Sequence, residues 1–396
     1  MADFLTSEHA NLVERSVAII TWGEEGHVRL ATRKPPDGGP IRPLRDEDID
    51  EVARIWDRVF RPVSSVAITD TRAFLRRTLL SSSWRDAELP SLVYADDNGK
   101  VLGFIGSNVR RLTFDGEPIR AVYSAHLMVD PDVDKPASGM RAVGGLLASR
   151  ALRGPQDLTL TDTANPHARA IWLALGGETL QLGCVSWIRV FRPSRVLRIA
   201  IERRVASKGW VSRMPVWPFV DLVFSRAAAS LQPEMPSPGS AEPLTAAAAA
   251  AHLPAITAGF RVRPIYDEAF LSSLFDDLAL IAEGVVVRRL VRSRGRAVGT
   301  YVYLLQPGAI SRVLQVAARE DDAATVLTNL LEHARANGAA AVTGRLEPHL
   351  RESLRAVQAV LFPAPYSTLV HSRNRELLHA IHSGSSFLTR LDGEWW

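Results

Sequence analysis

Asn165-Pro166-His167-Ala168-Arg169-Ala170-Ile171-Trp172-Leu173-Ala174-Leu175-Gly176-Gly177 is the segment from which the architecture of this chain can be inferred. Asn165 is a good N-cap, and Pro166 occupies the first helical position, where the missing N–H is not needed. The paired glycines at the end stop the helix. Leucine and threonine alternate in the preceding stretch, Leu158–Thr161, which is typical of a strand. The pattern therefore predicts a strand followed by a short helix.

The residues on the N-terminal side of this segment alternate between strand and helix patterns. Asp46 is a candidate N-cap, and apolar residues follow it at helical spacing. Asp97-Asn98-Gly99-Lys100 is a strong hairpin signal between two apolar runs. The predicted elements are a strand at 41–44, a helix opening at 46, strands at 91–96, 101–109 and 120–129, a helix at 143–152 and a strand at 158–161. This order predicts an α/β (α+β) fold, with a mixed, mostly antiparallel sheet flanked by helices.

The C-terminal half repeats this order weakly. Arg263-Pro264-Ile265 resembles Arg42-Pro43-Leu44, and a helix at 323–336, a strand at 340–344 and a helix at 350–360 follow in the same sequence. Between the halves lie a proline-rich segment and an alanine run. We therefore predict a duplicated fold. The expected divisions are a leader at 1–40, a first domain at 41–192, an inter-domain arm and linker at 193–254, and a second domain at 255–396.

Composition and charge exclude several classes of function. A formal net charge of +4 over 396 residues is too small to indicate a nucleic-acid surface. The single cysteine excludes an internal disulfide and a cysteine-based structural zinc site. The histidines form no HxxxH pair, so no metal is expected. No apolar run reaches the roughly 18 to 20 residues that a membrane span needs, and the N-terminus lacks signal-peptide features. We expect a cytoplasmic protein.

In this order, the motifs resemble those of the GNAT (GCN5-related N-acetyltransferase) superfamily. Arg42-Pro43-Leu44 with the following helix is similar to the usual opening, and Val129-Asp130-Pro131 to the end of the central strand. The segment at 165–177 matches the family pattern of Asn, Ala three residues on, an aromatic seven residues on, and Gly after it. The resemblance is good over 41–192 and weak over 260–365. It implies a tandem GNAT, or acyl-CoA N-acyltransferase, fold.

The resemblance implies acetyl-CoA or another acyl-CoA as co-substrate. The family binds the pyrophosphate on backbone amides of a Gly-rich loop at a helix N-terminus, an arrangement that suits any anion. Here the matching residues are Gly139, Arg141, Ala142, Val143, Gly144 and Gly145, and the pattern is imperfect. The alternative is a face of small residues packed on the sheet. In family members the backbone of the central strand also pairs with the pantetheine arm, which here implies Leu127, Met128 and Val129. A residue after the next strand contacts the cofactor as well, which here implies Asn165.

Four residues are candidates for the chemistry. Strict alternation places Tyr123 and His126 on opposite faces of their strand. His126 has a suitable pKa for a general base, and Tyr123 is a candidate substrate wall, with a buried structural role as the alternative for each. Asp162 is a candidate base or ammonium anchor, or else a turn carboxylate. Trp172 stands where the family often has a tyrosine acid. Its indole lacks a hydroxyl, so core packing is the favoured interpretation.

The resulting hypothesis is an N-acyltransferase that moves an acetyl or other acyl group to an amine by direct attack. The acceptor would be a small-molecule or sugar amine. The C-terminal copy has no glycine at 317–324 and carries three acidic residues there, so we expect it to be degenerate, shaping the cleft or a homodimer surface. The rivals are an aminoacyl-tRNA-dependent peptidyl transferase of the same fold and a degenerate CoA-binding or regulatory protein. Arginines and aromatics at 192–226 leave a membrane-surface patch as an alternative to an inter-domain arm, although prolines interrupt it.

Overall fold

The computed structural model describes residues 40–60, 70–82, 85–132, 136–204, 238–281 and 283–393. The predicted leader at 1–40 lies almost wholly outside the described residues, as does most of the segment at 192–226.

Fifteen strands account for two mixed sheets within the described ranges. In chain order they are β1 Ile41–Pro43, β2 Leu92–Ala95, β3 Val101–Phe114, β4 Glu117–Val129, β5 Leu158–Ala164, β6 Glu178–Thr179, β7 Val185–Val190, β8 Ser240–Pro243, β9 Val262–Pro264, β10 Val285–Ser293, β11 Arg296–Leu305, β12 Ile310–Ala318, β13 Ala341–Arg345, β14 Val360–Pro363 and β15 Ser367–His371. The first sheet runs β1-β2-β3-β4-β5-β15-β6, with β9 paired to the end of β3. The second runs β14-β7-β13-β12-β11-β10-β8.

Helices cover the sheets and fill the space between them. They are α1 Ile49–Val59, α2 Thr71–Leu75, α3 Pro136–Leu147, α4 Pro166–Ala174, α5 Pro193–Arg204, α6 Ala246–Ile256, α7 Glu268–Ile281, α8 Ala323–Ala336, α9 Arg351–Ala356 and α10 Arg375–His382. Single π turns extend α2 and α3 at their C-terminal ends. No described helix combines the length and the apolar character that crossing a bilayer requires. Together with the sheets, these helices form the predicted mixed α/β architecture.

Each sheet contains one parallel pair, and the two pairs occupy equivalent places. Strands β4 and β5 are parallel, as are β12 and β13, and an α-helix makes the crossover in both cases. The remaining pairs in both sheets are antiparallel. The order β-β-β-helix-β therefore occurs once in each half.

The halves exchange strands, so the sheets do not follow the predicted division at residues 192 and 255. Strand β7 from the first half lies between β13 and β14 in the second sheet. Strand β15 from the second half lies between β5 and β6 in the first sheet. One apolar core also contains residues of both halves, for example Trp56, Phe104 and Leu314. The halves are therefore interlocked rather than joined only by a linker.

Local chemistry explains where the first elements begin. The hairpin turn forms as predicted, because the Asp96 carboxylate accepts hydrogen bonds from the amides of Asn98 and Lys100, both at 2.9 Å. The predicted N-cap Asp46 does not cap α1. Instead Asp48 lies at the turn, where its carboxylate accepts from the Arg45 amide at 2.8 Å and from both Arg42 guanidinium nitrogens at 2.7 Å.

The helix of the initial segment, α4, forms as the sequence predicts. The Asn165 side chain accepts a hydrogen bond from the Ala168 amide at 2.8 Å, and Pro166 is the first helical residue. Gly176 has φ +93°, the left-handed conformation that ends helices and favours glycine. The alanine run after the proline-rich segment also forms a helix, α6, capped by Thr245.

Candidate active site

A β-bulge in the central strand β4 determines which side chains reach the space between the sheets. Gly106 pairs with Ala125, and Phe104 pairs with Met128. Two residues of β4, His126 and Leu127, therefore lie opposite the single residue Ile105 of β3. His126 has φ +52°, the left-handed conformation that such a bulge uses. The bulge breaks the strict alternation of the strand.

Because of this bulge, the expectation that Tyr123 and His126 lie on opposite faces is wrong. Tyr123 pairs with Asn108 and Met128 pairs with Phe104, and these partners are four residues apart on β3, hence on one face. His126 packs against Trp56, in the same core as Met128. Tyr123, His126 and Met128 therefore share the face that looks toward the second half of the chain.

Strands β4 and β5 diverge immediately after Tyr123. Their parallel pairing covers only 121–123 of β4 and 158–160 of β5. From 124 to 129, no described strand pairs with this edge of β4, whereas β3 continues to pair with the other edge. The backbone groups of Leu127, Met128 and Val129 on this edge therefore border an opening in the sheet.

A network of buried polar side chains fills the space beyond this opening. The Asp392 carboxylate accepts hydrogen bonds from the Tyr266 hydroxyl at 2.6 Å and the Thr389 hydroxyl at 2.8 Å. The Gln315 amide donates to the Tyr266 and Thr389 hydroxyls at 3.0 and 3.2 Å. The Arg110 guanidinium donates to the Asp392 carbonyl at 3.1 Å. Strands of both sheets and the C-terminal segment thus meet in one polar cluster.

Burial dominates the ionisation of this cluster. It raises the pKa of the Asp392 carboxyl, although the Tyr266 hydroxyl, the Arg110 charge and Thr389 act in the opposite direction. It also raises the pKa of Tyr266 well above the usual range and lowers the pKa of Arg110. The cluster is therefore a low-dielectric site in which any added charge interacts strongly.

Two polar groups at the edge of this cluster have no hydrogen-bond partner among the described residues. They are the Tyr123 hydroxyl and the Asn108 side-chain nitrogen, both buried and carried by paired positions of β3 and β4. Burial raises the pKa of Tyr123 well above its usual range, with a further contribution from Asp392. Buried polar groups without partners are uncommon in proteins. Tyr123 and Asn108 are therefore well placed to hydrogen-bond a ligand or water.

Asp162 lies on β5 just beyond the point of divergence. It is buried, and one carboxylate oxygen is 3.7 Å from the Arg345 guanidinium of β13. A Cβ on Gly393 would lie 2.6 Å from the same oxygen, so only glycine allows this close approach of the C-terminal segment. The structure thus brings the candidates Asp162 and Tyr123 to one side of the opening, next to charges from the other half.

His126 is poorly suited to serve as a general base at neutral pH. Its Nδ1 accepts a hydrogen bond from the Trp56 indole at 3.1 Å, and aromatic rings of Phe60 and Phe74 surround it. Burial lowers the pKa of His126 to about 3. The imidazole is therefore neutral, and its contacts stabilise the bulge.

We expect His126 to make stability depend on pH. Its pKa is near 3 in the folded chain and about 6.5 when unfolded, so the unfolded state binds more protons between these values. The free energy of unfolding should therefore fall as the pH drops below 6.5, by about 2 kcal/mol at pH 5. His126→Gln should lack this contribution, which urea unfolding at pH 7 and pH 5 would measure. An equal loss in both proteins would contradict the prediction.

Trp172 lies on the other face of the first sheet and is fully buried. Its indole N–H donates to the Val370 carbonyl at 3.3 Å, and its ring packs with Leu127 and Leu146 in an apolar cluster. The one hydrogen-bond donor of the indole is therefore bonded to the protein backbone. Asn165, as described, caps the helix that carries Trp172.

The small residues predicted to bind pyrophosphate lie inside helix α3 rather than in a loop. The helix begins at Pro136, so Gly139 lies in its first turn. A Cβ built on Gly139 would lie 3.5 Å from a Val129 methyl group. The amides of Ala142 and Gly144 lie further along and are engaged within the helix. Ala142 contacts Gly103, as expected for a small-residue face packed on the sheet.

The equivalent turn of the second half carries negative charge. A 3₁₀ turn at Glu320–Asp322 precedes α8, and Asp322 forms an ion pair with Arg296 at 3.0 Å. This end of α8 is therefore unsuited to a phosphate. Within the described ranges, no group of three histidine, cysteine or acidic side chains could hold a metal ion.

Sequence reasoning missed most of the buried cluster. Arg110 lies on β3, Tyr266 in the segment before α7 and Asp392 in the C-terminal segment, and no motif links them. The only available signal was polar residues in otherwise apolar surroundings, such as Asn108 and Arg110 inside a long strand. Their partners are supplied by the other half of the chain.

No model of a protein family matches the sequence, and neither does the sequence of any curated protein. Solved structures do match. One is a conserved protein of unknown function from Enterococcus faecalis V583, described as a probable N-acyltransferase, with 12% identity and a TM-score of 0.54 over 84% of this chain and 71% of that chain. A GCN5-related N-acetyltransferase from Kribbella flavida has 15% identity and a TM-score of 0.50 over 84% and 70%. Saccharomyces cerevisiae N-myristoyltransferase with bound myristoyl-CoA has 10% identity and a TM-score of 0.50 over 93% of both chains. At these identities, the likeness establishes a shared fold.

Proposed function

We propose that this chain, which has the GNAT fold, moves an acyl group from acyl-CoA to an amine. The observation that carries the proposal is the opening between β4 and β5, where the edge of β4 from 124 to 129 has no paired strand among the described residues. An extended pantetheine arm can hydrogen-bond to such an edge as an additional strand would. The yeast neighbour, whose structure holds myristoyl-CoA, is similar along 93% of both chains, which supports an acyl-CoA donor.

The pyrophosphate would lie at the N-terminus of α3. The first-turn amides at 137 and 138 have no helical acceptor, and the helix dipole favours an anion there. Gly139 adjoins Val129, so this end of α3 is next to the end of β4. The exposed Arg141 adds a positive charge one turn further on. Among the predicted cofactor residues, Gly139 and Arg141 fit this role better than Ala142, Val143, Gly144 or Gly145.

The reaction would be a direct transfer. The amine nitrogen attacks the thioester carbonyl carbon, a C–N bond forms, the C–S bond breaks, and the thiolate of CoA leaves with its electron pair. The amine loses one proton, which solvent or a carboxylate accepts. A thiol has a pKa of about 8.5, so the thiolate can leave without a strong acid. Holding the reactants in place would supply most of the rate.

The acceptor would enter from the face that carries Tyr123. The unpartnered Tyr123 hydroxyl and Asn108 nitrogen offer hydrogen bonds, and Asp162 offers a negative charge close to the opening. His126 and Trp172 would hold the strand and the helix in place, because their polar atoms contact Trp56 and Val370. These contacts support a small-molecule or sugar amine as the acceptor, held between the two halves.

A gene duplication would explain the repeated order of elements. Asn165-Pro166-His167 after β5 has a counterpart in Glu347-Pro348-His349 after β13. In both places a short turn leads from the parallel strand into a helix. The acidic turn at Glu320–Asp322 supports loss of CoA binding in the second copy, which would then shape the acceptor cleft.

A degenerate CoA-binding protein is the second candidate function. Two observations favour it: the sequence has no glycine between Gly116 and Gly139, and the Trp172 indole N–H is hydrogen-bonded to the Val370 carbonyl. Release of free CoA in the presence of a panel of amines would separate the candidates. Binding of acetyl-CoA without transfer to any amine would favour the degenerate protein.

Two aspartate substitutions on α3 test the donor site. Gly139→Asp would place a carboxylate in the first turn, and it should weaken acetyl-CoA binding at least tenfold, about 1.4 kcal/mol. Gly144→Asp is the matched control, because its added Cβ meets nothing within 4 Å and it lies beyond the first turn. Calorimetry on both folded variants would measure the difference. Equal affinities in the two variants would remove the end of α3 from the site.

A further inference from the structure

A second, small cleft lies between the two halves beside Arg345. Its apolar walls are formed by Leu180, Leu182, Ile381 and Phe387. Its polar side chains are Ser386 and those of the second-half turn Arg345–His349. Because Arg345 also lies 3.7 Å from Asp162, this cleft adjoins the candidate active site.

Two hydrogen-bond acceptors in this cleft have no hydrogen-bond partner among the described residues. One is Oε2 of Glu347, whose side chain is buried. The other is Nδ1 of His349, because the Nε2 of that ring lies 3.1 Å from the Val316 carbonyl and must carry the proton to donate there. The Phe260 and Phe387 rings hold the imidazole in this orientation. Two unsatisfied acceptors with apolar walls call for a ligand that donates several hydrogen bonds.

Burial, rather than a neighbouring charge, has the largest effect on the ionisation of Glu347. It is the main reason that the pKa of Glu347 is raised to about 8. The positive charge of Arg345 acts to lower this pKa, whereas the negative charge of Asp392 acts to raise it. Burial lowers the pKa of His349 to about 4, so its ring is neutral. The other lining segments, 180–183 and 386–388, contain no titratable side chain, and α10 contributes Ile381. The Arg345 charge is shared with Asp162. A bound cation would therefore ionise Glu347 and displace its proton.

We propose that this cleft is the subsite for a primary alkylammonium group of the acceptor, with Glu347 Oε2 and His349 Nδ1 accepting its hydrogen bonds. A primary ammonium supplies three N–H donors and one positive charge, and the apolar walls suit the attached alkyl chain. As an acceptor subsite, the assignment rests on the proposed acyltransferase function. It defines the substrate class as a cationic amine with an apolar segment.

Calorimetric titration of the full chain with 1-butylamine hydrochloride tests this assignment, with 1-butanol as the uncharged probe of similar shape. At pH 8 the ammonium should bind at least tenfold more tightly than the alcohol. Its affinity should rise between pH 6 and pH 8, since Glu347 ionises over this range. Glu347→Gln should weaken the ammonium at least tenfold. Glu352→Gln, which removes an exposed carboxylate five residues away, should leave the affinity unchanged.

Absence of butylammonium binding, equal affinity for the alcohol, or unchanged affinity in folded Glu347→Gln would overturn the assignment. If Glu347→Gln does not fold, the wild-type pH profile decides, and a flat profile between pH 6 and pH 8 overturns it. Titration of the same samples with acetyl-CoA separates the two proposals. Butylammonium binding without acetyl-CoA binding would refute the acyltransferase and keep the cation site, and the reverse result would refute the cation site alone.

Discussion

Replacing Asp392 with alanine is expected to lower the free energy of unfolding by about 3–5 kcal/mol. The carboxylate is fully buried and accepts hydrogen bonds from Tyr266 and Thr389. Its negative charge also acts on the buried Arg110 guanidinium more strongly than any other acidic group does. Without it, Arg110 would keep a positive charge in a low-dielectric site with its principal counter-charge removed. Urea unfolding followed by tryptophan fluorescence would measure the loss.

An exposed aspartate of the same kind provides the control. Asp46 forms an ion pair with Arg76 at 2.7 Å, but both side chains are largely in solvent. Exposed pairs contribute little to stability because water and salt screen them. Asp46→Ala should therefore unfold at nearly the same urea concentration as the wild type. Similar losses in both variants would mean that the buried cluster does not hold the C-terminal segment in place.

Gly177→Ala is expected to destabilise the chain by about 1–3 kcal/mol or more, through overpacking. A Cβ at Gly177 would lie 2.0 Å from Nε1 of Trp172 and 2.4 Å from its Cδ1. The indole cannot move away easily, because it is fully buried and its N–H is bonded to the Val370 carbonyl. The second glycine of the 165–177 segment therefore serves close packing, whereas Gly176 serves the turn. Thermal unfolding would measure the effect.

Gly144→Ala is the matched substitution with the opposite expected sign. Its added methyl group meets nothing within 4 Å, and the residue lies inside α3. Alanine in a helix interior is favoured over glycine by roughly 0.5–1 kcal/mol. A small gain in stability at Gly144 beside a clear loss at Gly177 would support the packing described for each. Destabilisation at both positions would show that α3 is packed differently.

Elements defined by local chemistry could be predicted from the sequence. The turn at Asp96–Lys100, the cap at Asn165 and the cap of the alanine helix each depend on a side chain and an amide two to four residues away. Such contacts are present in any short window of sequence. The fold class followed from the order of these elements, and the structural neighbours confirm it.

Features that depend on distant partners could not be predicted. Strand β15 pairs with β5 across about two hundred residues, and a pattern of alternating apolar residues does not name the partner strand. The bulge at His126 is stabilised by Trp56, 70 residues earlier in the chain. That one inserted residue moved His126 to the face of Tyr123, and alternation alone predicts the opposite.

The candidate site was only partly accessible to sequence reasoning for the same reason. Tyr123 and Asp162 belong to the recognisable first half, and both lie at the opening between β4 and β5. Arg345, Glu347 and Asp392 are supplied by the second half, where the resemblance is weak. Their importance becomes visible only when burial and hydrogen bonding are known.

Titration of the full chain with acetyl-CoA in a calorimeter addresses the donor site without any substitution. The opening beside β4 and the first turn of α3 predict one molecule bound per chain, since the acidic turn at Glu320–Asp322 disfavours a second. A stoichiometry of one, weakened by Gly139→Asp, is the expected result. No binding by a folded chain, or two molecules bound per chain, would contradict it.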